Sequence, residues 1–120
     1  MTFVNFSNHS SDKWNPKQIE AASKWGSIID LPFPEVSADA SVEDIRLLAC
    51  DYTDQICSLQ PNAVMCQGEF TLTFAIVTML KSRGITVVSA CSSRNTVEAV
   101  SVDGTSQKTS IFEFVKFREY

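Results

Sequence analysis

Apolar and polar positions along the chain change their period several times, and each change marks an element. Thr2-Phe3-Val4-Asn5-Phe6 is short and β-prone and predicts a first strand over 2–6. A polar run follows, Ser7-Asn8-His9-Ser10-Ser11-Asp12-Lys13, longer than the usual strand-to-helix connection. Asn15 can then cap a helix, Pro16 suits its first turn, and Gln18 sits where a capping-box partner belongs. Trp14 and Ile19 flank that cap at the positions of a hydrophobic staple. The helix is expected to run to about Trp25 and stop at Gly26. Ser27-Ile28-Ile29-Asp30-Leu31 predicts a second strand, ended by Pro32-Phe33-Pro34. Ser41-Val42-Glu43-Asp44 is another capping signature. After it Val42, Ile45, Leu48, Ala49, Tyr52, Ile56 and Leu59 share one helical face, and Pro61 ends that helix.

Ala63-Val64-Met65-Cys66 and Ile85 to Cys91 lack in/out alternation, as central parallel strands do when both faces are covered. Between them Glu69 to Arg83 is apolar on most sides and predicts a deeply packed helix closed by Gly84. Thr96 to Val102, the turn Asp103-Gly104, and Lys108 to Tyr120 read as a β-hairpin. Ile111, Phe112, Phe114, Val115 and Phe117 put apolar groups on both faces of its last strand. That strand is therefore expected to be covered on both sides, in part by a second subunit. The resulting order is an α/β fold, a Rossmann-like three-layer sandwich with a mostly parallel sheet and a C-terminal β-hairpin, as a single domain over 1–120. Right-handed crossovers place the first and third strands side by side, which makes a topological switch point.

Composition narrows the functions open to such a fold. A chain of 120 residues and 13.3 kDa is one domain, and 44% hydrophobic with 20% charged residues excludes a disordered chain. The net charge of −4 and a pI near 4.8 argue against nonspecific DNA or RNA binding, which needs a stripe of Lys and Arg. No apolar run approaches the ~18 residues of a membrane span. The N-terminus lacks both the basic start and the apolar stretch of a signal peptide, so a cytoplasmic protein without membrane contact is expected. Cys50, Cys57, Cys66 and Cys91 form no C-x-x-C pair and the chain has a single His, which reads as reduced thiols and no metal site.

The switch point brings three polar segments toward one crevice: Ser7-Asn8-His9-Ser10, Gln67-Gly68-Glu69-Phe70-Thr71 and Ser92-Ser93-Arg94-Asn95. Gly68 lets a ligand approach the backbone, and the first N–H groups of the following helix can hold an anion. Glu69 complicates this, because a carboxylate in the first turn already satisfies the helix dipole. Either the turn is a cap without a ligand, or Glu69 and Gln67 bind ribose hydroxyls or base edges. His9 is a candidate general acid or ligand donor, weighed against an exposed or capping His. Arg94 can hold phosphate oxygens bidentately or be a surface Arg. Ser7, Ser10, Ser92 and Ser93 are phosphate donors or turn formers, and Trp14 is a base-stacking ring or a staple. No spacing suggests a Ser-His-Asp or Cys-His nucleophile.

Asn5-Phe6-Ser7-Asn8-His9, taken with Cys66-Gln67-Gly68-Glu69-Phe70-Thr71, resembles small stand-alone proteins encoded beside type III CRISPR systems. Those proteins resemble CARF domains, Rossmann-like folds whose final two strands form a hairpin. The resemblance implies a homodimer that binds a cyclic oligoadenylate across its two-fold axis. For the ring nucleases among them it implies degradation of that messenger and an end to the antiviral response. It maps the ligand onto Ser7, Asn8 and Ser10 and onto Gln67, Gly68, Phe70 and Thr71, to which the switch point adds Ser92, Ser93 and Asn95. Many CARF domains carry a Lys in the helix-opening turn; here none precedes Lys81 in that segment, which moves the weight of phosphate binding onto Arg94 or Lys13. The implied chemistry needs no metal or other cofactor: a ribose 2′-OH attacks its adjacent phosphorus, with Arg94 and the amides near Gly68 stabilising charge and His9 as the acid. Other readings stay open: a sensor or sponge that binds without cutting, a nucleotide-processing enzyme using Glu69 as acid/base or nucleophile, and a structural partner docking through the hairpin.

Overall fold

The computed structural model describes residues 1–120, the side chain of residue 97 apart. Strand β1 (Thr2–Ser7) leads through a 3-10 turn (Ser11–Lys13) into helix α1 (Pro16–Ser23) and strand β2 (Ser27–Pro32). Helix α2 (Val42–Ser58), strand β3 (Ala63–Gln67) and helix α3 (Phe70–Ser82) follow, and strands β4 (Val87–Val100) and β5 (Ser106–Glu119) close the chain. The sheet order is β2-β1-β3-β4-β5, parallel throughout except for the antiparallel β4–β5 pair. The chain is thus a Rossmann-like α/β sandwich with β1 and β3 adjacent, as the sequence predicts.

Alternate residues of the central strands feed two cores. Val4, Phe6, Val64 and Cys66 face α2 and α3, packing with Ile56, Leu72, Ile76 and Leu80. Phe3, Ala63, Met65 and Val88 face α1, packing with Ala22 and the rings of Trp14, Trp25 and Phe117. Burial on both faces is why these strands show no polar alternation. The caps act as read: the Asn15 side chain accepts the Gln18 N–H, and Ser41 with Asp44 forms a complete capping box. Two details differ. The Gln18 amide does not return to the cap but reaches the Met65 sulfur at 3.8 Å, and α1 ends at Ser23 rather than Trp25. The Trp25 ring stacks on Phe3 at 5.6 Å, a contact that orders the chain beyond the helix.

The largest departure lies in the last two strands. Ser92-Ser93-Arg94-Asn95 is no loop: β4 runs through it without a break, each residue paired across to the segment Ile111–Phe114. The pairing of β4 with β3 is confined to Val87 and Val88, so further on only β5 supports it. Its polar residues face solvent there, which is what makes the run look like a loop. Within the single chain β5 is mostly exposed, and a β-bulge resets its alternation. Cys91 pairs with Lys116 while Ser92 pairs with Phe114, leaving Val115 as the extra residue. The bulge puts Phe112, Phe114 and Phe117 on one face, with the Phe114 and Phe117 rings 4.9 Å apart, and leaves Lys116 and Arg118 on the other. The Asp103-Gly104 turn forms as predicted, with Gly104 at φ 87° and Asp103 held near pKa 2 by hydrogen bonds from Ser101 and Thr105. Beyond the bulge the hairpin projects as an arm. It gives a radius of gyration of 17.3 Å, against about 14 Å for a compact chain of this length.

Candidate functional site: a crevice at the carboxyl edge of the sheet

Ser7 and Gln67, the last residues of β1 and β3, lie opposite each other in register. The chain leaves β1 toward α1 on one face and β3 toward α3 on the other, and a crevice opens between the two exits. His9 and Gln67 line both of its halves. The larger half, about 500 Å3, is bounded by Ser7, Lys13, Trp14, Ser92 and the rings of Phe112 and Phe114. The smaller, about 360 Å3, is bounded by Asn8, Gly68, Phe70 and Tyr120.

A polar network, buried at Asn5 and Ser7 and open to solvent at Asp30, holds the loop that carries His9. Asn5, only 2% exposed, donates from Nδ2 to the His9 carbonyl and to Asp30 Oδ1, both at 2.8 Å. Its Oδ1 accepts the Ser7 hydroxyl at 2.6 Å, and Ser7 Oγ in turn accepts the His9 N–H at 3.2 Å. Asp30 also accepts the Ser11 N–H and the hydroxyls of Ser11 and Ser10. Burial pushes the Asp30 carboxyl up, but these hydrogen bonds from Asn5, Ser11 and Ser10 outweigh it and hold the pKa below its ordinary value. His9 is thereby fixed through its backbone, leaving its exposed ring to face the crevice. Sequence reading missed both anchors. Asn5 is a polar residue inside an apolar strand, a signal that can be seen, but its partner Asp30 lies on another strand.

Of the readings open for the turn into α3, the structure builds the cap. Glu69 is the cap of α3: its carboxylate accepts the Thr71 N–H at 3.1 Å and the Leu72 N–H at 2.8 Å, along with the Thr71 hydroxyl. The Leu72 amide, then Thr71, lowers the Glu69 pKa, so the carboxylate stays charged and is a weak proton acceptor. The Thr71 and Leu72 amides, which could otherwise hold a phosphate, are therefore occupied. Gly68 has a packing reason of its own, since a Cβ there would come within 2.5 Å of the Phe33 ring.

The remaining candidates divide by face. Ser92 lines the larger half, whereas Ser93 and Asn95, paired with Glu113 and Ile111, alternate to the other face of the arm. Arg94 shares the face of Ser92 but lies further along the arm. Its Nε and Nη2 donate to Ser110 Oγ at 3.1 and 3.0 Å, and its guanidinium stands 6.0 Å from the Phe112 ring centroid. Ser10 turns to Asp30, and Thr71 to Glu69. Gln67 accepts the Ala90 N–H at 2.6 Å, which ties β3 to β4 beyond their strand pairing. Tyr120 donates its hydroxyl to the Cys66 carbonyl at 2.7 Å. Burial pushes the Cys66 thiol up to about 12, which removes it as a nucleophile. Among the described residues no three His, Cys, Asp or Glu side chains gather as a metal site needs, and no helix is long and apolar enough to cross a membrane.

Comparison by sequence adds one finding. The model of the Uncharacterized protein MJ1673 family matches residues 1–118. The chain belongs to this family. No curated protein and no solved structure matches it. The MJ1673 match takes in both central strands, the loop of His9 and the arm, so the crevice lies within the family region apart from Tyr120. Chemically this MJ1673-family crevice offers one unbonded imidazole, a Lys beside it, amide and hydroxyl donors, and an aromatic wall.

Proposed function

We propose that the chain binds a cyclic oligoadenylate in this crevice and opens the ring without a metal, ending the type III CRISPR signal that such a messenger carries. The observation that supports the reading most is the position of His9. Its backbone is locked by Asn5 and Ser7, and its ring stands between two halves sized for parts of a nucleotide. Lys13 lies beside the larger half to meet a phosphate, and Trp14 and Phe112 offer faces to a base. The likeness of the segments around Asn5–His9 and Cys66–Thr71 to CARF-type ring nucleases points the same way.

In the proposed step a ribose 2′ oxygen attacks the neighbouring phosphorus, forming the P–O2′ bond and breaking the P–O5′ bond. The 2′ proton passes to solvent, and His9 in its protonated form delivers a proton to the departing 5′ oxygen. The product is a linear strand ending in a 2′,3′-cyclic phosphate. Holding the 2′ oxygen in line with the leaving oxygen supplies much of the acceleration. A homodimer would present two such crevices to one ring.

One observation favours a second reading, a binder that does not cut. The α3 amides that would stabilise charge on phosphate are taken by Glu69, and Arg94 is engaged with Ser110. Incubation with labelled cyclic tri-, tetra- and hexa-adenylate in EDTA separates the two. Shorter linear products support the nuclease, and intact rings bound in stoichiometric amount replace it with the binder. Failure to bind any ring removes both.

A further inference from the structure

The stripe Phe112, Phe114 and Phe117 is one face of β5, yet its members fare differently. Phe114 is 5% exposed, and Phe117 packs against Phe3, Trp14 and Trp25. Phe112, next along the same face, is 69% exposed although it borders the larger half of the crevice. Arg94 stands beside that ring, its guanidinium 6.0 Å from the centroid and anchored to Ser110 by two of its N–H groups. An Arg has five N–H donors, so three stay free beside an open aromatic face.

An exposed aromatic ring beside a tethered guanidinium, bordering a crevice with a Lys on its other side, is matched by a planar base joined to a phosphate. We infer that the hairpin arm is the base-reading wall of the crevice: Phe112 stacks on a purine of the ligand, and Arg94, positioned by Ser110, contacts the same nucleotide. The inference rests on the proposed nucleotide reading and adds what selects the base. Stacking strengthens with the size of the π face, so the wall favours purine over pyrimidine rings. It also gives Arg94 a binding role, because its anchorage points it along the arm rather than at His9.

Binding of cyclic tetra-adenylate and cyclic tetra-uridylate is to be measured by calorimetry for the wild-type chain and three variants. The wild type is expected to prefer the adenylate ring by at least ~10-fold. Phe112→Ala should lose that preference and at least ~10-fold in adenylate affinity, while Phe112→Trp should keep both. Arg94→Gln should weaken the adenylate ring with a loss that shrinks as salt rises. Because Phe112 is exposed, Phe112→Ala should melt at the wild-type temperature. Wild-type affinity and preference in Phe112→Ala would overturn the inference and leave the proposed function standing. The same holds if Phe112→Ala changes only the monomer–dimer equilibrium, which would assign the ring to a subunit contact. A wild-type chain that holds neither ring would take down both.

Discussion

Asn5 stands nearly buried in the middle of an apolar strand, and each of its polar atoms has a partner: the His9 carbonyl, the Asp30 carboxylate and the Ser7 hydroxyl. A buried amide is tolerated there because it is fully satisfied, and in return it fixes the loop that follows. The Asp30 arm of this network has a pH signature. Its folded-state pKa is depressed, so the stability it contributes is present above the unfolded value and is lost as pH falls through the folded one. Urea denaturation of the wild type should therefore show stability dropping below the ordinary carboxylate range. Asp30→Asn should be less stable at neutral pH and show a shallower fall in acid; an unchanged slope would mean that Asp30 does not carry the effect. For His9 the expectation is kinetic. His9→Ala should cut ring cleavage by at least ~100-fold with ring binding largely kept, and unchanged turnover removes it from the mechanism.

Among the elements, β5 shows how one residue sets the use of a strand. Strict alternation through Ile111-Phe112-Glu113-Phe114-Val115-Lys116-Phe117 puts apolar groups on both faces, and Val115 as a bulge gathers the three Phe on one. With the bulge kept, inserting one Ala between Phe114 and Val115 would swing Phe112 and Phe114 to the face of Lys116. The expected cost is about 2 kcal/mol or more from exposing Phe114 alone, read as a lower urea midpoint and a red shift in tryptophan emission. A wild-type midpoint would show that the strand absorbs the extra residue without turning its faces. At the other end of the sheet, α3 caps itself. The Ser41–Asp44 box and the Asn15 cap were legible because a cap and its partner lie within one turn of each other. Glu69 was legible only as one of several choices, since a carboxylate at that place can cap a helix or meet a ligand.

The molecule as a whole is longer than its chain length requires, 56 × 38 × 21 Å, because the arm leaves the body. A two-stranded hairpin alone is marginally stable in water, and both outer edges of this one carry unpaired backbone groups beyond the bulge. A second copy is the partner expected to cover it, and sedimentation equilibrium should give twice 13.3 kDa at micromolar concentration. A monomer with a stable arm would refute that expectation. What the sequence alone determined is local or periodic: the element order, the caps, the doubly covered central strands and the adjacency of β1 and β3. These follow from contacts within a turn of helix and from the two faces of a strand, which leave their period in the chain. Tertiary structure alone decided that Ser92–Asn95 is strand, that Val115 is a bulge, that Asn5 meets Asp30 and that Arg94 belongs to the arm. Each of those depends on which distant segment lies alongside, and pairing across such separations writes no period into the residues themselves.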